Sequence, residues 1–155
     1  MQRTVIAPVD LDRKAEHVVH CASGLARLHR AGLIVTHVVD HYSAESGYAP
    51  FASAGEVRED MTRTARGWLV GLLHHLGIHG AEIVVTAGDL RDGVATLAGQ
   101  RHACYIVTGQ SRWGVLGKLA GLHQEPRIAR LGCDVIAAGA AGWAIDWGRA
   151  LSLPG

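Results

Sequence analysis

Three aspartates follow short apolar runs, at positions where a side chain can bind a ligand or take part in chemistry. Asp10 closes the run Thr4–Val9, Asp40 closes the run Leu33–Val39, and Asp89 follows a third such run. A carboxylate at such a place accepts hydrogen bonds from a ligand or helps to hold Mg²⁺. It also serves as the cap of a following helix, whose N-terminal dipole it complements. Both roles, which are compatible, stay open for Asp10.

Side chains that commonly bind metal ions are frequent, but their spacing does not predict a closed metal site. The chain has 10 histidines and 3 cysteines. Neither a HExxH motif nor a CxxC motif is present, so we expect solvated helix faces and no metal. Two local groups do not alter that expectation, namely His17, His20 and Cys21 on the first predicted helix, and His74, His75 and His79 near the end of the second.

Motifs of hydrolases and of the common nucleotide-binding loops are also missing. Ser111 lies in no GxSxG elbow, and neither GxxxxGK[ST] nor a strand-coupled GxGxxG occurs. Cys104 and Cys133 each open a predicted strand, where we expect small buried hydrophobic side chains, with a redox switch as the alternative. The odd number of cysteines favours reduced thiols and therefore predicts a cytoplasmic protein.

The composition predicts one globular domain that binds neither nucleic acid nor membrane. The 155 residues are 48% hydrophobic and 19% charged, with a formal net charge of +1, so the chain can bury a core. No apolar stretch approaches the ~20 residues that cross a bilayer. No basic stripe with interleaved aromatic residues is present. The first residues lack the apolar core of a signal peptide.

The elements that would position the aspartates alternate between strands and helices. Continuous apolar runs predict strands that are buried on both faces, and spacings of i, i+3, i+4 and i+7 predict helices. The predicted strands are Thr4–Val9, Leu33–Val39, Glu82–Ala87, Cys104–Thr108 and Asp134–Ala138. The predicted helices are Asp12–Ala31, Glu56–Leu76, Asp92–Arg101 and Pro126–Leu131.

This alternation predicts a doubly wound α/β domain with a parallel sheet. We expect Asp12 to accept from the first free N–H groups of the first helix, and Gly32 to end that helix. The stretch His41–Ala54 is irregular, and Ser111–Gln124 is left unassigned. Because ligands of such sheets bind beyond the carboxyl ends of the strands, the loops of interest follow Asp10, Asp40, Gly88 and Gly109.

The strand ends carry a resemblance to a known family. The opening of the chain resembles that of a universal stress protein, with the run Val5–Asp10, a helix and then His37–Asp40. The resemblance continues through Gly88-Asp89, Tyr105–Gly109 and Cys133–Ile136, and it covers roughly residues 3–138. The resemblance implies a Rossmann-like, five-stranded parallel sheet of order 3-2-1-4-5, with a crevice between strands 1 and 4. It implies a domain over 1–138 and a homodimer formed through the last strand, at Val135, Ile136 and Ala137.

The resemblance also implies an adenine-nucleotide site, because many members bind ATP or AMP. By position, the end of strand 1 and of strand 2 would hold the adenosine, at Ala7, Pro8, Val9, Asp10 and Val38. The phosphates would lie on a loop of the form G-x-x-G, nine residues, G-[S/T]. Such a loop brings backbone N–H groups close to the anion.

The chain departs from the family at that loop. Gly109 serves as the first glycine, but the second falls on Arg112. The final pair falls on Leu122-His123 or Gly121-Leu122, without the small hydroxyl. Arg112, Lys118 and His123 offer side-chain charge in place of the lost contacts, which indicates an altered anion site.

The leading functional prediction is therefore a non-catalytic stress-response or regulatory homodimer with an adenine nucleotide or another anion in the crevice. One alternative is a slow ATPase or nucleotidyl-transferring enzyme of the same superfamily. Another is an interaction module acting through residues 139–155, which the sequence predicts as a short helical extension. In that extension Trp143, Trp147 and Leu151 recur at i, i+4 and i+8. The two tryptophans pack either on the surface of their own domain or on the dimer mate or a partner, and the second alternative assigns Trp143 and Trp147 to the dimer interface.

Overall fold

A computed structural model describes residues 2–40, 54–109, 119 and 121–138. The strands are β1 (Thr4–Pro8), β2 (Gly32–Val39), β3 (Glu82–Ala87), β4 (Ala103–Thr108) and β5 (Asp134–Ala137). The helices are α1 (Lys14–Leu28), α2 (Ala54–His75), α3 (Leu90–Arg101) and α4 (Pro126–Leu131), and a 3₁₀ turn spans Leu122–Gln124. The predicted alternation of strands and helices is confirmed.

The five strands form one parallel sheet of order β3-β2-β1-β4-β5, as the resemblance implied. Strand β1 lies at the centre, where Ile6 is the register partner of Ile34 in β2 and of Ile106 in β4. The strand order reverses at β1, since the chain moves outward through β2 and β3 and then returns to β4. The predicted fold class is confirmed.

Apolar side chains of β1 alternate between two cores, one on each face of the sheet. Val5 belongs to the core under α1 and α2, together with Val35 and Leu69. Ile6 belongs to the core under α3 and α4, together with Ile106. All five of these side chains are fully buried, which explains why the strands read as continuous apolar runs.

The ends of α1 differ from the prediction in a physically simple way. Asp12 Oδ1 accepts from the Lys14 backbone N–H at 2.9 Å, so the predicted acceptor role is confirmed, although the helix begins at Lys14. The predicted stop at Gly32 is wrong. The left-handed residue is Arg30 (φ 51°), and Gly32 is already the first residue of β2.

Helix α3 begins two residues before its predicted start at Asp92, because Asp89 caps it. The Asp89 Oδ1 atom accepts from the Asp92 backbone N–H at 2.8 Å. Helix α4 spans the predicted residues, and the Glu125 carboxylate accepts from the first N–H groups of that helix. Of the unassigned stretch, Leu122–Gln124 forms the 3₁₀ turn.

Several predictions fall on residues outside the described ranges. These are the irregular stretch 41–53, the loop residues 110–118 and the extension 139–155, which include Ser111, Arg112, Lys118, Trp143 and Trp147. Within the described ranges, no helix has both the length and the apolar composition needed to cross a membrane.

Candidate functional site

A cavity of about 330 Å³ opens at the carboxyl ends of β1, β2 and β3. It contains three of the predicted adenosine contacts, Val9, Asp10 and Val38. It lies on the β2 and β3 side of Asp10, and Gly109 is not among its lining residues. The described residues that line it are Val9, Asp10, His37, Val38, Asp40, Gly88, Asp89, Leu90 and Arg91.

Backbone hydrogen bonds beyond the strand ends hold the walls of the cavity together. The Val9 N–H donates to the Thr36 carbonyl at 2.9 Å, which keeps the segment after β1 alongside β2. The Gly88 N–H donates to the Val39 carbonyl at 2.9 Å, which keeps the turn after β3 against the end of β2. Gly88 has φ +133°, a conformation that side chains disfavour. These bonds place the first turn of α3 beside Val38.

His37 is a cavity residue that sequence reasoning did not select. Its Nδ1 atom lies 2.8 Å from the Val9 carbonyl oxygen. Because a carbonyl only accepts, Nδ1 carries the hydrogen, and in the neutral ring Nε2 is the acceptor. The available signal was a single ionisable side chain in a strand of eight residues whose other members, apart from Thr36, are apolar or glycine.

Val38 lies under α3, and a glycine in that helix makes the close approach possible. A Cβ atom added to Gly93 would lie 3.2 Å from Val38 Cγ2 and 3.6 Å from Thr86 Oγ1. The side chain of Val38 is 9% exposed. Its position therefore depends directly on the packing of α3 against the sheet.

The lining charges are mainly acidic. Asp10 and Asp40 follow β1 and β2, while Asp89 is engaged as the cap of α3. Within the described part of the lining, Arg91 is the only lysine or arginine. Among the residues that the structure describes, no three His, Cys, Asp or Glu side chains are grouped so as to hold a metal ion. Carboxylates suit ligand groups that donate hydrogen bonds, such as hydroxyls.

Arg91 connects this cavity to the chain beyond β4. Its Nη2 atom donates to the Gly121 carbonyl at 3.0 Å. Gly121 has φ +75° and precedes the 3₁₀ turn. The contact joins the first turn of α3 to the end of the loop in which the resemblance expects phosphate contacts. No local sequence pattern predicts it, because the two residues lie 30 positions apart.

The other predicted site residues lie elsewhere. Ala7 and Pro8 are buried in β1 and do not line the cavity. Gly109 is half-buried after β4, and His123 is exposed on the 3₁₀ turn. Leu122, which takes the position of the family's small hydroxyl in one register, is fully buried in the core under α3 and α4.

The three cysteines are free and show no sign of a reactive thiol. Burial raises the pKa of Cys21 and of Cys104, although the Cys104 Sγ–H donates to the Thr4 carbonyl at 3.2 Å. Burial, together with the nearby charges of Cys104 and Asp134, raises the pKa of Cys133 to about 12. A raised pKa keeps the thiol neutral and a poor nucleophile, as expected for small buried hydrophobic residues.

Comparison with known proteins identifies the family. The model of the universal stress protein family matches residues 1–138. The chain belongs to this family. It is 26% identical over 141 residues to universal stress protein A homolog 1 of Coxiella burnetii, and the match covers 86% of this chain and 93% of that protein.

Solved structures of universal stress proteins share the fold of this one. One is a universal stress protein in complex with cAMP, with a TM-score of 0.54 and 20% identity over 88% of this chain and 97% of that chain. Another is the protein from Archaeoglobus fulgidus in complex with dAMP, with a TM-score of 0.52 and 18% identity over 88% of this chain and 97% of that chain. At these identities the likeness establishes the architecture of this universal stress protein, not its ligand.

Proposed function

We propose that this universal stress protein is a non-catalytic regulatory homodimer that binds an adenine nucleotide, ATP or AMP, at the carboxyl ends of β1 to β3. The observation that carries the proposal is the convergence of Val9, Asp10 and Val38 on one cavity. These are positions at which the resemblance implies adenosine contacts. The complexes of two relatives with cAMP and with dAMP support the choice of ligand.

The cavity suits the nucleoside part of such a ligand. Its volume of about 330 Å³ lies at the lower end of the 300–1,000 Å³ range of small-molecule sites, which fits one nucleoside. The Asp10 carboxylate is an acceptor for ribose hydroxyls, and the backbone at Val38 offers polar groups to the adenine edge. The acidic lining favours the phosphates elsewhere, toward Gly109, Arg112, Lys118, Gly121 and His123.

The buried position of Leu122 supports binding without catalysis. Phosphoryl transfer depends on groups that stabilise charge on the transferred phosphate and hold its metal ion. In one register of the family pattern, Leu122 replaces the small hydroxyl, and its side chain is fully buried. We therefore expect no turnover of ATP when protein and nucleotide are present in equal amounts. Steady release of phosphate or of an adenylyl group would favour the enzymatic alternative.

The binding experiment is calorimetric titration of the full chain with AMP and ATP, after native mass spectrometry of the protein as purified. The expected stoichiometry is one nucleotide per chain. Asp10→Asn keeps the shape of the side chain but removes its charge. It should weaken binding by about 10- to 100-fold, as for loss of a hydrogen bond to a charged group.

The matched control for this experiment is Asp60→Asn on α2. Asp60 is 63% exposed and pairs only with the surface residue Arg63 among the described contacts. The Asp60→Asn variant should therefore bind the nucleotide as tightly as the wild type does. Failure of the wild type to bind either nucleotide at millimolar concentration would refute the proposed ligand. An equal loss in both variants would refute the role of Asp10.

The proposed dimer forms through β5, which is an edge strand of the sheet. An edge strand leaves a row of backbone N–H and C=O groups to be covered. Val135 and Ala137 are half-buried there, and Ile136 is 9% exposed. Trp143 and Trp147 remain predicted contributors from the extension 139–155.

The free cysteines support a reducing compartment such as the cytoplasm.

Light scattering tests this dimer with a substitution at each edge of the sheet. Ala137→Lys places a charge on the β5 edge and should shift the mass from dimer to monomer. Ala87→Lys places the same charge at the end of the opposite edge strand, β3, and should leave the mass unchanged. A wild-type monomer, or a dimer broken only by Ala87→Lys, would contradict the assignment.

A further inference from the structure

We propose that Arg91 recognises the phosphate of the bound nucleotide and so makes the site prefer nucleotides to nucleosides. This inference rests on the proposed function. It assigns a specificity role to a residue on α3, an element that lies outside the phosphate loop implied by the resemblance. Three observations carry it, namely the place of Arg91 in the cavity, its contact with Gly121, and the burial of Leu122.

The first observation is position. Arg91 is the second residue of α3, is half-buried, and lines the same cavity as Asp10 and Val38. Among the described residues that line the cavity, it is the one that carries a guanidinium or ammonium group. A planar guanidinium with five N–H donors matches the oxygen pairs of a phosphate better than a single ammonium does.

The second observation is direction. The Arg91 Nη2 atom reaches the Gly121 carbonyl at 3.0 Å, so the guanidinium spans from the cavity to the turn before the 3₁₀ segment. An added Cβ at Gly121 would itself lie 3.7 Å from that Nη2 atom. Arg91 thus stands where a nucleoside in the cavity would extend its phosphate toward Gly121.

The third observation is that the turn after Gly121 lacks its own hydroxyl. In the register that aligns Gly121 with the final glycine, Leu122 takes the hydroxyl position, and its side chain is fully buried. The positive charge of Arg91 reaches this turn from another part of the chain. The guanidinium therefore replaces the missing hydroxyl contact by charge-assisted hydrogen bonds to the phosphate.

The test compares adenosine with AMP in calorimetric titrations of the full chain. Arg91→Met keeps a long aliphatic stem and removes every donor, while Arg91→Lys keeps only the charge. The Asp89 cap and the bond from Arg127 to Asp92 use other donors, since Asp89 accepts from the Asp92 N–H and the Asp92 Oδ1 accepts from Arg127 at 2.8 Å. The matched control is Arg130→Met, because Arg130 is exposed on α4 and lines no part of this cavity.

We expect the wild type and Arg130→Met to bind AMP more tightly than adenosine. Arg91→Met should weaken AMP binding by about 10- to 100-fold, as for loss of a charged hydrogen bond, and leave adenosine within about two-fold. The affinity of Arg91→Lys for AMP should lie between those of the wild type and Arg91→Met. Thermal melting of each variant verifies folding.

The outcomes separate this inference from the proposed function. Equal affinity of the wild type for adenosine and AMP, or an equal loss of both ligands in Arg91→Met, would overturn the role of Arg91 while leaving the nucleoside site intact. Failure of the wild type to bind adenosine and AMP at all would remove both proposals together.

Discussion

His37 Nδ1 donates to the backbone carbonyl of Val9 at 2.8 Å. This bond ties a side chain of β2 to the segment that follows β1, at the rim of the candidate site. Val9 as a whole residue is 3% exposed, so water is a poor substitute for the imidazole at its carbonyl. The bond therefore orients the ring and supports the chain just before Asp10.

Replacing His37 with Phe keeps a ring of similar size and removes the donor. The Val9 carbonyl then loses its partner, which should lower the free energy of unfolding by about 1–2 kcal/mol. Urea denaturation measures the change. The control is His17→Phe, since His17 is exposed on α1 and should stay within about 0.5 kcal/mol of the wild type. Equal stabilities for the two variants would contradict a structural role for the His37 bond.

The raised pKa of Cys133 predicts how stability depends on pH. Its thiol has an ordinary pKa of 9.0, which burial and the charges of Cys104 and Asp134 raise to about 12 in the folded protein. Between these values the unfolded chain has lost the proton and the folded chain retains it. The contribution of Cys133 is thus complete below pH 9 and is lost as pH rises toward 12.

Urea denaturation at pH 8 and pH 10 tests this dependence. In the wild type, the Cys133 thiol should account for a loss of about 1 kcal/mol between the two conditions. Cys133→Ala should lose less, because one such thiol is absent, even if its stability at pH 8 is lower. A Cys133→Ala protein with the same loss as the wild type would show that the thiol does not titrate as its burial implies.

The sequence predicted the sheet because the same feature governs both pattern and fold. Val5 and Ile6 point to opposite cores, so a strand buried on both faces reads as an unbroken apolar run. Asp10 and Val38 were predicted because the ends of strands β1 and β2 carry the family resemblance. Both residues are close to the sheet, where the backbone hydrogen bonds are regular.

The rest of the site depends on contacts between distant segments. The bond from Arg91 to Gly121 spans 30 residues, and no periodicity predicts which carbonyl a long side chain will reach. Helix α3 begins two residues before its predicted start because Asp89, rather than the apolar pattern, determines where that helix begins. The reach of Arg91 is a tertiary outcome, whereas the Asp89 cap is a local signal that hydrophobic periodicity alone does not contain.

The packing of α3 on Val38 predicts that two glycines of one helix respond differently to alanine. Helix interiors favour alanine over glycine by about 0.5–1 kcal/mol. A Cβ at Gly99 meets no atom within 4 Å, so Gly99→Ala should stabilise the protein by that amount. A Cβ at Gly93 lies 3.2 Å from Val38 Cγ2, so Val38 must move and the gain should be cancelled.

The same displacement should reach the candidate site, because Val38 lines the cavity. We expect Gly93→Ala to bind adenosine several-fold more weakly than Gly99→Ala, which should match the wild type. Thermal melting and calorimetric titration of both variants measure the two effects. Equal stabilisation with unchanged affinity in Gly93→Ala would mean that Val38 yields without cost and does not contact the ligand. A loss of affinity confined to Gly93→Ala would tie the nucleoside site to the distance between α3 and β2.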